Sequence, residues 1–327
     1  MTKITIIGGG AWGATLGQVL TDNQNEILIY DINEKYIEKI NNQKHPIFNL
    51  PLYNIKVSNN LEKAINFSNI IIICIPAQKI RNLLKKINKI IKKPKNFINV
   101  SKGIEIINNK IIYKILQEEI KKNKIKNYAC LLGPSHAEEV ILRKKTFLTT
   151  ASYNKNFAKK VCSLFNNEYF QVNTSLDVIG CEICSAFKNA LALISGILDN
   201  ELFDKNAKAA FITFGIKEMQ KILLLFKTNP DTSINLAGLG DLIVTAFNNN
   251  SRNYKAGRQI SLGKTLKEIY KNNNQVIEGI DNLKVFYKLS KIKNIELPII
   301  HSSFQVIFKK KPIKKIINTI FNKIKFY

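Results

Sequence analysis

The sequence predicts an α/β fold: an N-terminal domain with a doubly wound parallel sheet, followed by an all-α C-terminal domain. Three observations carry this prediction. Short β-branched runs alternate with helical stretches through the first half of the chain, the signature of a parallel sheet with helical crossovers. A Gly8-Gly9-Gly10 turn joins the first run to the first helix. After Asp177, strand signals almost vanish and helical periodicity takes over. The expected domains are residues 1–176 and 177–327, and 327 residues suit two domains at roughly 100–200 residues each.

The elements follow in order. KITIIG (3–8) is a short apolar strand, and a helix is expected from Trp12 to Thr21. EILIYD (26–31) reads as the second strand and NEKYIEKI (33–40) as the second helix. NIIIICIP (69–76) is nearly continuous in β-branched residues, as a strand covered on both faces requires, and Pro76 ends it. KIRNLLKKINKII (79–91) spaces its apolar residues by three and four, the period of an amphipathic helix. FINVS (97–101) and YACLLG (128–133) are further strands, with the helix KIIYKILQEEIKK (110–122) between them. TFLTTAS (146–152) and YFQVNT (169–174) close the series. VIGCEICSAFKNALALISGIL, KAAFITFGIKEMQKILLLF, TLKEIYKNN, NLKVFYKLSKI and SFQVIFKK then read as helices joined by polar or glycine-containing connections.

The formal charge is +26, from 50 Lys and Arg against 24 Asp and Glu. Arginines occur only at 81, 143, 252 and 258, and the lysines are scattered instead of gathered in a stripe. Nucleic-acid recognition leans on Arg and on clustered charge, so no nucleic-acid partner is expected. Lys, Asn and Ile are residues of A/T-rich codons, which accounts for the charge; an anionic metabolite is its more natural beneficiary. Five cysteines make no disulfide framework, and Cys181-x-x-Cys184 lacks a second pair for zinc, so no metal is expected. MTKITIIGGG runs directly into strand and turn without a secretory signal, and the longest apolar run, Ile70–Ala77, is far short of the roughly 20 residues a bilayer span needs. A soluble, cytoplasmic protein without integral membrane association is expected.

Gly8-x-Gly10-x-x-Gly13 follows a strand and opens a helix, the context of a Rossmann-type dinucleotide fingerprint. Gly8 permits the tight turn, Gly10 the approach of a pyrophosphate, and Gly13 close helix–sheet packing. Asp31 ends the second strand, where a carboxylate binds ribose hydroxyls and repels a 2′-phosphate, so NAD is favoured over NADP. Lys102 in NVSKGIE stands at the carboxyl edge of the sheet, as either a phosphate contact or a solvated lysine. Gly133-Pro134-Ser135 ends another strand at a helix start able to hold an anion, and His136 there reads as a packed or capping residue. Lys188 lies in an otherwise apolar helix, either desolvated into the working range of a proton donor or snorkelling to water. Asp241 follows a glycine-rich turn, with Thr245 one helical turn on. Arg252, between Ser251 and Asn253, is an arginine kept in a chain that prefers lysine, which points to a need for its planar fork. Glu278 precedes a helix as a cap or a ligand.

Taken in order, IGGGAWGATL, SKGIE, GPSHAEEV, CSAFKNALAL, AGLGDLIVT, SRNYKAGR and VIEG resemble the bacterial-type NAD(P)-dependent glycerol-3-phosphate dehydrogenases. The resemblance implies that Ala11, Trp12 and Ala137 line the cofactor with the fingerprint glycines and Asp31, joined by Val276 and Glu278. It implies that Lys102, Gly133, Ser135, Asp241, Ser251, Arg252 and Asn253 meet the substrate. Lys102 and Arg252 would also touch the cofactor. Lys188 matches the family's proton-transferring lysine, with Asp241, Lys102 and Thr245 completing the catalytic set. Two departures stand out: Cys184-Ser185 where a Gly-Gly pair is usual, and Asp31-Ile32 where many members have Gly-His or a basic residue.

The implied reaction is reduction of dihydroxyacetone phosphate to sn-glycerol 3-phosphate with NAD(P)H, supplying glycerol phosphate for phospholipid synthesis. The substrate is expected to lie between the two domains, and a homodimer is left open as the assembly. Another two-domain dehydrogenase of a hydroxy acid or sugar phosphate would share the glycines but not the ordered GPSHA, KN and SRN stretches. A basic nucleic-acid-binding protein would explain the charge but predicts clustered Arg with interleaved aromatics.

Overall fold

The structure, a computed structural model, describes residues 1–199, 203–271 and 276–322. The chain divides into two compact units. The first comprises Met1–Ser101 and Ile112–Val178, and the second takes the described residues from Ile179 onward together with Lys102–Ile111. That ten-residue strap lies within the first 176 residues of the sequence yet packs with the second unit.

The first unit holds β1 (Lys3–Ile7), α1 (Ala11–Asp22), β2 (Glu26–Tyr30), α2 (Glu34–Asn41), β3 (Ile55–Ser58), α3 (Leu61–Phe67), β4 (Ile70–Ile73), α4 (Ala77–Ile90) and β5 (Lys95–Asn99). It continues after the strap with α5 (Ile112–Glu119), β6 (Ile125–Leu132), α6 (Ala137–Val140), β7 (Thr146–Ala151), α7 (Lys155–Phe165) and β8 (Phe170–Ser175). Among the described residues the strands form one sheet, ordered β3-β2-β1-β4-β5-β6-β7-β8. β1 through β6 are parallel, as expected, and all four isoleucines of β4 are buried. β7 turns back antiparallel to β6 and pairs in parallel with β8. The β6–β7 connection carries only the single turn of α6, too little helix to return the chain to the other end of the sheet. The sequence reading also missed β3, a short edge strand whose IKVS is mostly exposed or half-buried, together with α3 and α7.

Strand order reverses between β1 and β4, and Gly8 follows β1 at that switch point, where open α/β sheets bind ligands. Gly8 adopts φ +108°, a conformation only glycine takes without strain, and donates its N–H to Tyr30 O at 2.8 Å. A methyl group at Gly13 would run into the Gly8 carbonyl oxygen, so α1 seats against the turn only without a side chain there. Asparagines open three of the other helices, α2, α3 and α7: Asn33 and Asn154 each accept two backbone N–H groups from the first turn that follows, and Asn60 accepts one.

The second unit is helical: α8 (Val178–Ile197), α9 (Lys205–Leu225), α10 (Asp241–Ala246), α11 (Arg252–Ser261), α12 (Leu266–Lys271), α13 (Glu278–Ile292), α14 (Pro298–Lys309) and α15 (Lys314–Asn322). The final two residues of the expected helix TLKEIYKNN lie outside the described residues. α8 is long and apolar enough to cross a membrane by length and composition, although the longest unbroken apolar run had suggested otherwise. It is instead a core helix, 94% buried. A π-type turn over Leu236–Gly240 leads into α10, closed by Gly240 N–H donating to Asn235 O at 3.2 Å. The strap folds on itself where Glu105 N–H meets Lys110 O at 2.9 Å.

Gly13→Ala should destabilise the protein by about 1–3 kcal/mol, the scale of overpacking against fixed backbone. Urea unfolding followed by circular dichroism checks this, and an unchanged midpoint would show that α1 can shift without cost.

Candidate active site

In the first unit, the candidate cofactor residues gather at the turn after β1. Gly10 is the N-cap of α1, and a side chain placed there would meet nothing within 4 Å, so the helix N-terminus stands open to an approaching group. Ala11 and Trp12 begin the helix, and the Trp12 indole Nε1–H is buried without a hydrogen-bond partner. Asp31 follows β2 and braces the turn: one carboxylate oxygen accepts Gly9 N–H at 2.5 Å and the other Asn33 N–H at 2.8 Å. His45 supports the same turn from beneath. Its Nδ1 accepts the N–H groups of Ile47 and Phe48, which leaves Nε2 as donor to Ala11 O at 3.0 Å. Burial pushes the His45 pKa down to about 4, so it stays neutral. The open cradle and the unspent indole donor fit a pyrophosphate-bearing dinucleotide.

Gly133, Ser135 and Ala137 lie at the carboxyl end of β6, on the same sheet edge. Ser135 Oγ donates to Gly133 O at 3.2 Å and closes the turn. α6 has only four residues, so the anion-holding helix start expected here carries little dipole. His136 is the N-cap of α6, with Nδ1 3.8 Å from a Glu138 carboxylate oxygen.

In the second unit, four expected catalytic residues converge. Lys188, on α8, is 4% exposed and donates to Asp241 Oδ1 at 3.1 Å and Thr245 Oγ1 at 2.8 Å. It does not snorkel. Lys102, on the strap, donates to the other oxygen of Asp241 at 2.8 Å. Thr245 Oγ1 donates back one turn to Asp241 O at 2.5 Å, which aims its lone pairs at Lys188. One buried carboxylate thus serves two ammonium groups. Burial pushes Lys188 down, Asp241 pulls it up, and Lys102 and Arg252 push it down again, for a pKa of about 7. Burial acts to raise Asp241, but Lys102 and Lys188 outweigh it and hold the carboxyl below its usual range.

Ser251 caps α11 by accepting Tyr254 N–H at 3.3 Å, and Arg252 follows as the exposed first residue of the helix. Asn253 turns inward. Its Nδ2 donates to Asn189 Oδ1 at 3.0 Å and its Oδ1 accepts Gly279 N–H at 2.9 Å, while Asn189 Nδ2 donates to Lys102 O at 2.8 Å. Asn189 escaped the sequence reading; its only local signal was an amide beside Lys188 in an apolar helix. Glu278 is the first residue of α13 and Val276 lies just before it, 39% exposed. Cys184 and Ser185 are fully buried on α8.

Family models place the chain decisively. The N-terminal model of NAD-dependent glycerol-3-phosphate dehydrogenase matches residues 3–158 and the C-terminal model residues 177–318. The chain belongs to the NAD-dependent glycerol-3-phosphate dehydrogenase family. It is similar to the glycerol-3-phosphate dehydrogenase [NAD(P)+] of Phytoplasma mali, 56% identical over 97% of this chain and 96% of that protein. The Acholeplasma laidlawii enzyme of the same name is 42% identical over 97% and 96%. The solved glycerol-3-phosphate dehydrogenase of Coxiella burnetii matches with a TM-score of 0.92 at 25% identity, covering 98% of this chain and 99% of that one. The Plasmodium falciparum structure shares the fold, with a TM-score of 0.89 at 24% identity over 100% and 97%. This dehydrogenase therefore uses NAD or NADP.

Asp241→Asn would leave Lys188 buried beside Lys102 without the counter-charge the two lysines share. The loss should be about 3–5 kcal/mol, the scale for removing one member of a buried pair. Urea unfolding at pH 7 reads it; wild-type stability would mean the lysines relax into water.

Proposed function

We propose that this chain reduces dihydroxyacetone phosphate to sn-glycerol 3-phosphate and catalyses the reverse oxidation. The observation that carries the reading is Lys188, desolvated, aimed by Asp241 and Thr245, and accompanied by Lys102. A bound NADH or NADPH supplies the hydride. As negative charge grows on the carbonyl oxygen, Lys188 delivers the proton. Its ammonium has three N–H donors, of which Asp241 and Thr245 take two, so the third is left for the substrate. Lys102 adds positive potential at the same oxygen, and Asp241 keeps both lysines oriented. Arg252 supplies a planar fork for the phosphate dianion. In the oxidative direction neutral Lys188 takes the hydroxyl proton. The proposed setting is cytoplasmic, with the product feeding phospholipid synthesis. Loss of reduced-nicotinamide absorbance on adding dihydroxyacetone phosphate tests the reaction; no turnover with either cofactor would refute it.

Lys188→Ala should lower kcat by roughly 10²–10⁴-fold, the scale for losing a general acid–base, with nucleotide binding intact. Lys188→Arg should not rescue it, because guanidinium keeps its proton. Reduction needs Lys188 protonated, so its rate should fall as pH rises through about 7, while oxidation should rise over the same interval. Steady-state kinetics in both directions check the sign.

NADH should be the better cofactor, because the Asp31 carboxylate accepts from ribose hydroxyls and repels a 2′-phosphate. Asp31→Ser should shift the NADPH to NADH ratio of kcat/KM by about tenfold or more, the scale of a hydrogen bond to a charged group. A wild-type preference for NADPH would overturn this assignment.

A further inference from the structure

Asn282 is fully buried on the second turn of α13, and both ends of its carboxamide are engaged. Oδ1 accepts the Ile104 N–H at 3.2 Å, and Nδ2 donates to the Ala186 carbonyl at 3.0 Å. Ile104 lies two residues after Lys102, and Ala186 two residues before Lys188. One amide therefore joins the strap that carries the first lysine to the helix that carries the second.

We propose that Asn282 is a positioning residue that sets the spacing of Lys102 and Lys188 about Asp241. The proposal rests on the reading of that cluster as the proton-transfer site. α8 is a twenty-residue buried helix, so Lys188 keeps its place through the helix itself. The strap has no such regular structure; its internal ties include the Glu105–Lys110 bridge and the Asn108 Nδ2 bond to Glu105 Oε2 at 3.1 Å, all on the far side of Gly103 from Lys102. Asn189 holds the Lys102 carbonyl and Asn282 the Ile104 N–H, one clamp on each side of Gly103. With the second clamp gone, the lysine on the strap is the one that moves. Lys102, with a side chain 20% exposed, can swing to water, whereas Lys188 at 5% cannot.

Asn282→Leu keeps the branching and heavy-atom count, adds some bulk, and removes both hydrogen bonds. The expected result is a loss in kcat/KM of about 10²-fold, the scale of a small misplacement at the reacting centre, with nucleotide affinity unchanged. In a Lys102→Met background the same substitution should cost only a few-fold, because the two act through one group. Competitive acetylation read by mass spectrometry should show Lys102 labelled faster in Asn282→Leu while Lys188 stays protected. Unchanged Lys102 labelling, or an undiminished loss in the Lys102→Met background, overturns the proposal. The labelling reads position without turnover, so Lys102→Met at wild-type rates would count against the catalytic reading of Lys102 and leave the positional result standing. If Asn282→Leu does not fold, Asn282→Asp decides. A protonated aspartate can donate to the Ala186 carbonyl and an ionised one cannot, so activity relative to wild type should recover as pH falls. A ratio flat with pH overturns the proposal.

Discussion

One buried carboxylate held by two lysines is the constraint around which the second unit is arranged. Asp241 is 1% exposed and Lys188 4%, so neither charge is tolerable without the other. Three pieces of chain must meet to make the cluster: the strap with Lys102, α8 with Lys188, and α10 with Asp241 and Thr245. The π-type turn before α10 is the local irregularity at that meeting, as such turns often are at functional sites. Burial and charge pull Lys188 in opposite directions. Their balance leaves a lysine able both to give and to take a proton near neutrality.

The sheet was legible because its strands are written in β-branched runs, with β4 buried along its whole length. β3 was not, because an exposed edge strand carries little apolar pattern. The reversal at β7 follows from the length of one helix, which periodicity does not report. α8 was found as a helix, but Glu182 and Lys188 interrupt its apolar run and hid how much of it is core. The site was legible in kind and not in arrangement. Lys188 could be read locally as desolvated or as snorkelling, and the partners that decide it lie 53 and 57 residues downstream. Asn189 and Asn282 could not be separated from the many other asparagines of this chain by any local signal.

That asparagine bias has been absorbed into the structure. Asn33, Asn60 and Asn154 take the N-cap positions that Ser, Thr or Asp would fill equally well. Asn189, Asn253 and Asn282 are buried carboxamides, each bonded through both oxygen and nitrogen. A primary amide donates and accepts without carrying charge, which suits it to join backbone groups beside a cluster that already holds a carboxylate and two lysines. The lysine excess, by contrast, lies mostly at the surface.

The strap also sets an order of assembly during synthesis. Ile104 is made 178 residues before Asn282, the side chain that accepts its N–H. At bacterial and eukaryotic elongation rates of about 5–20 residues per second, that is a wait of roughly 10–35 seconds on the ribosome. Meanwhile β6, β7 and β8 emerge and can complete the sheet around the excluded segment. The contacts that the ten residues bearing Lys102 make with α8, α10 and α13 wait until all three helices have been translated. The tie between the strap and α13 is thus among the last features of the molecule to form, so a nascent chain arrested before α13 would carry a finished sheet and a strap still without its Asn282 clamp.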